Sequence, residues 1–267
     1  MKNVSLQVLL STMNLVNPKE YIKSMNIKSD YVIINQVTNK KIKLVNEHDG
    51  KKTIISLNDV GLSKSRNMAI KNSSALIGLL SDDDVVYNTD YEKIIKSAYL
   101  RHQDADIIAF AIESDTTNKY NKIKKEGKLG FLKSFKISSI QLTFNLEKIK
   151  DKKLQFDEDF GAGSTNYMGE ENIFLTDCFR SRLKIYYVPI VIGKLENLHP
   201  STWFNGFDEK YFNVKGAVFY RMSKLLSSLL ILQFAIRKIS LYKNDVSLLN
   251  AVKFMFAGKK QYQMNKK

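Results

Sequence analysis

Apolar and polar positions change their period several times along the first 115 residues. Residues 4–10 form an apolar run too short for a helix and predict a first strand. Pro18 then opens a helical pattern, with Asn17 placed to cap it. Residues 30–35 and 52–56 read as two further strands, and Gly61 leads into a helix spanning 64–70. The apolar stretch 75–80 predicts a short buried strand, and 106–112 another. This alternation predicts a mostly parallel sheet covered by helices.

The pattern loosens further on. Residues 115–128 are polar and read as a loop, 139–144 as a strand, and 156–164 as a turn bearing Gly161 and Gly163. Gly169 starts a helix whose first turn holds Glu170 and Glu171, where the helix dipole favours acids. Residues 183–192 predict a strand, and the chain after Gly216 is helical in pattern.

Composition narrows the class. A chain of 267 residues holds one large domain, or a domain with an appendage. Its 3 prolines and 12 glycines argue against a long disordered linker. One cysteine, Cys178, excludes an internal disulfide framework and a cysteine-based zinc site, and fits a reducing compartment. The apolar start is too short for a signal peptide.

The charge is uneven. Of a formal +15, a net +10 falls between Lys215 and Lys267, where eleven Lys or Arg face one acid, Asp245. Such a tail fits an anionic partner, nucleic acid or an acidic membrane surface, or simply a solvated face. Within it, residues 225–236 are apolar-rich. Twelve helical residues span about 18 Å, short of a roughly 30 Å hydrocarbon core. Two readings stay open: an amphipathic helix lying on an anionic leaflet, or a helix packed on the main domain with a basic outer face.

The candidate chemistry centres on Asp82-Asp83-Asp84, directly after the strand at 75–80. Acids at the carboxyl end of a strand lie where open α/β sheets bind ligands. Asp82 and Asp84 are two apart, so a turn there lets both face one hard cation. A solvated acidic turn is the other reading.

Four separated signals then fall in a familiar order. Gly61-Leu62-Ser63-Lys64-Ser65-Arg66-Asn67 is followed by Ser81-Asp82-Asp83-Asp84, then Gly161-Ala162-Gly163, then Gly169-Glu170-Glu171, with His199 late in the chain. In this the chain resembles family 2 glycosyltransferases of the bacterial surface-polysaccharide kind, over about residues 4–205. The resemblance implies an α/β, GT-A (Rossmann-like) fold. That fold has a mixed, mostly parallel central sheet flanked by helices, here with a basic helical C-terminal extension. It divides the chain into a catalytic domain, 1–212, and the extension, 213–267. The catalytic domain would comprise a nucleotide-sugar-binding half, 1–115, and an acceptor-binding half, 116–212.

The resemblance also implies roles. Mn²⁺ or Mg²⁺ would be held by Asp84, Asp82 and His199. The donor, a nucleotide diphosphate sugar and by expectation a UDP-sugar, would meet Ser11, Thr12, Asn35, Gln36, Arg66, Asn67, Asp82 and Asp83. Glu171 would be the general base, with Glu170 the second candidate, in an inverting transfer to a glycan or lipid-linked saccharide acceptor. Trp203 could stack on a sugar or lie in the core, and Asp157, Glu158 and Asp159 could touch acceptor hydroxyls, although a solvated turn is the favoured reading of these three acids. The expected location is cytoplasmic, peripheral at the inner face of the membrane through 215–267.

Two departures stand out. The first strand ends Leu10-Ser11-Thr12-Met13-Asn14, where the family has an Ile-Pro-Thr-Tyr-Asn-like run. The second ends Asn35-Gln36, where the family carries an acid. A catalytically inactive scaffold and a charge-driven nucleic-acid binder are the competing readings; the latter accounts for the tail but not for the acid motifs, and nucleic acid is not an expected partner.

Overall fold

The computed structural model describes residues 4–115, 123–196, 204 and 206–266. Ten strands among them join in one sheet. The first half runs β1 (Leu6–Met13), α1 (Pro18–Ser24), β2 (Asp30–Gln36), β3 (Asn46–Asp49), β4 (Lys52–Leu57), α2 (Leu62–Asn72), β5 (Ile77–Asp82), β6 (Val85–Tyr87), α3 (Tyr91–Arg101) and β7 (Ile107–Ser114). The second half runs β8 (Gly127–Lys128), α4 (Phe131–Ser134), β9 (Leu142–Asn145), α5 (Leu146–Asp151), α6 (Glu170–Arg180), β10 (Ile185–Leu195), α7 (Glu209–Met222), α8 (Ser227–Arg237), α9 (Ile239–Tyr242) and α10 (Leu248–Asn265).

The strand order is β3-β4-β2-β1-β5-β9-β7-β10-β6, with β8 on β10. β4, β2, β1 and β5 pair in parallel, as do β7 and β10. β9 is antiparallel to both neighbours, so β5 and β7 point the same way. The expected mixed, mostly parallel sheet is therefore present.

Both faces of this sheet are covered, which is why its strands read as continuous apolar runs. Val8, Leu10, Ile33, Ile77 and Leu79 pack on one side with Tyr91, Ile95 and Ala98 of α3. Leu9, Val32, Ile34 and Leu80 pack on the other with Ala69 and Ile70 of α2 and Phe174, Leu175 and Cys178 of α6.

A third core lies beyond the sheet. Phe160, Met168 and Ile173 meet Phe212, Val218, Ile231, Tyr242, Ala251 and Met255 from the C-terminal helices. The boundary expected at 212 thus falls inside α7, and the basic segment shares a core with the acid-bearing half. α7 and α10 cross with backbones in contact: a Cβ on Gly216 would collide with the Met255 carbonyl oxygen, and one on Gly258 with that of Asn213. Further ties are ionic. Arg221 of α7 meets Asp157 at 2.6 Å and Asp177 at 2.9 Å, and Lys266 meets Asp159. These contacts, rather than solvent alone, engage Asp157 and Asp159; Asn67 Nδ2 donates to Glu158 at 3.2 Å.

Candidate active site

β1, β2 and β5 end together, and their carboxyl ends carry the predicted donor-side residues. β5 finishes at Asp82, and the chain turns through Asp83 and Asp84 into β6. The three carboxylates then diverge. Asp83 accepts a hydrogen bond from Thr12 Oγ1 at 2.8 Å, and its carbonyl accepts one from the Tyr21 hydroxyl. Asp82 turns to Arg66. Asp84 faces a cavity of about 190 Å³ that it lines with Arg66, Asp82, Tyr167, Glu170 and Glu171.

Arg66 organises this end of the sheet. It lies in α2, and its side chain is only 1% exposed. Its guanidinium donates to Glu170 at 2.9 Å, to Asp82 at 3.0 and 3.4 Å, and to Ser139 Oγ at 2.9 Å. It also lies over the Phe156 ring, which stacks on Phe174 of α6. Burial opposes its charge, but Asp82 and Glu170 outweigh that and hold its pKa above the ordinary value. Arg66 therefore bridges two acids 88 positions apart in the chain.

The neighbouring Asn67 fixes a different segment. Its amide donates to the Phe156 carbonyl at 2.9 Å and accepts from the Phe156 N–H at 2.8 Å. This anchors the entry to the glycine loop. The loop itself seats on the start of α2: Ser63 donates to the Phe160 carbonyl at 2.6 Å, and the Leu62 N–H to that of Ala162 at 2.9 Å. Gly163, at φ +83°, has no room for a side chain, since a Cβ there would lie 2.8 Å from Val60.

The loop delivers the chain to α6 and its two acids, and they differ. Glu170 is buried against Arg66. Burial raises its pKa, the charge of Glu171 adds to that, and Arg66 works against both. Glu171 is half-buried on the cavity wall, its Oε1 contacted by Asn172 Nδ2 at 3.1 Å. A base must have an oxygen free to take a proton, and Glu171 meets that condition better than Glu170 does.

The four other donor-side candidates are occupied within the protein. Asn35 exchanges two hydrogen bonds of 2.9 Å with the Leu15 backbone. Gln36 Oε1 accepts from the Gly61 N–H at 2.6 Å. Ser11 Oγ accepts from Ser65 at 2.8 Å, and Thr12 holds Asp83. The Asn35 amide thus joins β2 to the loop after β1, and the Gln36 carbonyl oxygen joins it to the start of α2. His199 and Trp203 lie outside the described residues.

Asp84 tests whether a metal fits. Its Oδ1 is buried and has no hydrogen-bond partner among the described residues. Burial, then Asp82 and Asp83, push its pKa up to about 7. A carboxylate oxygen out of water, facing a cavity, lacks a positive partner, and a hard divalent cation supplies one. No group of three His, Cys, Asp or Glu gathers into a metal cage among the described residues. Both Asp82 oxygens accept from Arg66, at 3.0 and 3.4 Å. The donor set suits a Mg²⁺-like ion that takes one or two carboxylates and fills its shell with water and phosphate oxygens.

No family model matches the chain, and no curated protein matches it by sequence. Its fold, however, is that of GT-A-like glycosyltransferases of solved structure. One is S. aureus TarS 1–349 in complex with UDP-GlcNAc, with a TM-score of 0.64 at 13% identity over 90% of this chain and 74% of that one. The same protein with UDP gives 0.62 at 13% identity, over 98% and 92%. The mannosyltransferase PcManGT from Pyrobaculum calidifontis, in complex with GDP-Man and Mn²⁺, gives 0.55 at 11% identity, over 98% and 88%. At such identities the likeness establishes the fold and carries no residue's role across.

Several cavity residues had no signal in the sequence. Ser139, which completes Arg66, sits in a stretch that reads as a strand but forms a 3₁₀ turn, Ser139–Gln141. Tyr167 and Met168 line the cavity from an unpatterned loop. Phe156, beneath the guanidinium but outside the cavity lining, falls in the stretch 156–164 that reads as a turn.

Proposed function

We propose that the chain is a glycosyltransferase that moves a sugar from a nucleotide diphosphate sugar to an acceptor hydroxyl, with Glu171 as general base and Asp84 as the principal metal ligand. The observation that carries this is the buried Asp84 Oδ1, without a hydrogen-bond partner among the described residues, sharing a cavity with Glu171 in a GT-A-like fold. That TarS binds UDP-GlcNAc and PcManGT binds GDP-Man with Mn²⁺ supports a nucleotide sugar as donor. A UDP-sugar is the favoured choice.

Glu171 takes the proton of the acceptor hydroxyl as its oxygen attacks the anomeric carbon. The bond from that carbon to the diphosphate breaks, and the nucleoside diphosphate leaves. A base on the side opposite the leaving group makes this a single displacement, so the anomeric centre inverts. Bound Mn²⁺ or Mg²⁺ would neutralise charge on the departing diphosphate. Arg66 keeps Asp82 and Glu170 fixed as the walls of the site, and its own charge offsets the repulsion these two acids would exert on the donor. The pathway we favour is capsule, exopolysaccharide or O-antigen synthesis on a lipid-linked acceptor, in the cytoplasm at the inner face of the membrane.

A thermal-shift panel of UDP- and GDP-sugars, with and without Mn²⁺, tests the reading. Ligand at a hundred times Kd stabilises by about 2.7 kcal/mol, a shift of several degrees. One nucleotide sugar should give this shift and need the metal for it. A panel without any metal-dependent shift overturns the proposal.

A further inference from the structure

α8 is built inside out. Its inward stripe, Ser227, Ile231 and Ala235, is fully buried, with Ile231 and Ala235 in the third core. Its outward stripe holds large aliphatics. Leu225 is 90% exposed, Leu229 63%, Leu232 44% and Ile236 66%. Their spacing sets them on one face of a helix extended by a turn at its start. Scattered exposed leucines are ordinary, but a continuous apolar stripe marks a surface that meets something.

The surroundings say what. Lys224 precedes the stripe, Arg237 ends it, and Lys243 follows, all exposed. Over residues 215–266 the one acid is Asp245. The apolar stripe thus has a cationic rim, which complements an anionic surface. A second copy of the chain would bring the same cations against themselves, which disfavours it. The eleven residues of α8 span about 16 Å, too short to cross a roughly 30 Å hydrocarbon core. No helix among the described residues is long and apolar enough to do so.

We propose that the outer face of α8 is a lipid-docking surface. It lies in the plane of an anionic leaflet, with Leu225, Leu229, Leu232 and Ile236 at the headgroup–acyl boundary and Lys224 and Arg237 at the phosphates. Both earlier readings of this segment are then satisfied by one helix: it packs through its inward stripe and docks through its outward one. The proposal is independent of whether the cavity transfers sugar.

Flotation of the full chain with vesicles tests it, using phosphatidylcholine alone and phosphatidylcholine with phosphatidylglycerol. Wild type should bind the anionic vesicles at least tenfold better than the neutral ones. The double variant Leu229→Glu/Ile236→Glu should lose at least tenfold of that binding at an unchanged melting temperature, because both side chains face solvent. Failure of the wild type to float with anionic vesicles sinks the idea, and so does equal binding by the double variant. A wild-type dimer in analytical ultracentrifugation that the double variant dissolves, without vesicle binding, would assign the face to a second copy instead.

Discussion

The acid end of the sheet and the C-terminal helical layer are both well packed, yet each presents something that its own packing does not absorb. At the acid end, Arg66 gathers Asp82, Glu170 and Ser139, while Asp84 Oδ1, facing the cavity, has no hydrogen-bond partner among the described residues. In the helical layer the glycines of α7 and α10 bring backbones together, and what is left over is the aliphatic stripe on α8. On the roles proposed above, the two places call for different partners: positive charge at Asp84, lipid at α8.

The sharpest way to break this contrast is between the adjacent acids. Glu171→Gln should lower sugar transfer by about a hundred- to ten-thousand-fold, the usual range for a lost general base, while nucleotide-sugar binding by calorimetry stays nearly intact. Transfer at the wild-type rate would remove Glu171 from the role. Next in size, Arg66→Ala strands two acids in a buried site and should cost about 3–5 kcal/mol in urea unfolding. A loss below about 1 kcal/mol would mean that the network does not hold the fold. In the helical layer, Gly216→Ala forces α7 and α10 apart and should cost about 1–3 kcal/mol, despite alanine's better helix propensity. A stabilised variant would show that the crossing is looser than described.

The remaining test concerns pH. Asp84 titrates near 7 in the fold and near its ordinary 3.8 in the unfolded chain. Between those values the folded state holds a proton that the unfolded chain has released. Its contribution to stability is therefore full below about pH 4 and is lost as pH rises towards 7. In metal-free protein, Asp84→Asn should gain in melting temperature over wild type as pH goes from 5 to 8. A constant difference would disprove the raised value.

Much of the sheet was legible because burial on both faces writes an apolar run. β3 was not, since its Asn46-Glu47-His48-Asp49 is exposed throughout and pairs only at the edge of the sheet. α3 carried Tyr91, Ile95 and Ala98 at helical spacing and could have been read. At the site, the order of Gly61, Asp82–Asp84, Gly161 and Glu170–Glu171 could be seen, because each motif is local. Their partners could not. Nothing near Asn35 announces that its amide will hold Leu15, and nothing near Arg66 announces Glu170. Such pairings exist only once distant segments meet.

Gly169 opens the helix that bears both acids, at φ +91°, and a side chain there would lie 2.6 Å from Val218 of α7. The consequence is one of inheritance. The helical layer cannot be re-angled without moving the first turn that carries Glu171. With Glu171 as the proposed base and α8 as the proposed docking face, both roles would share this joint, so a graft of α7–α10 onto a related sheet calls for glycine at 169 and a side chain no larger than that of Val218 against it.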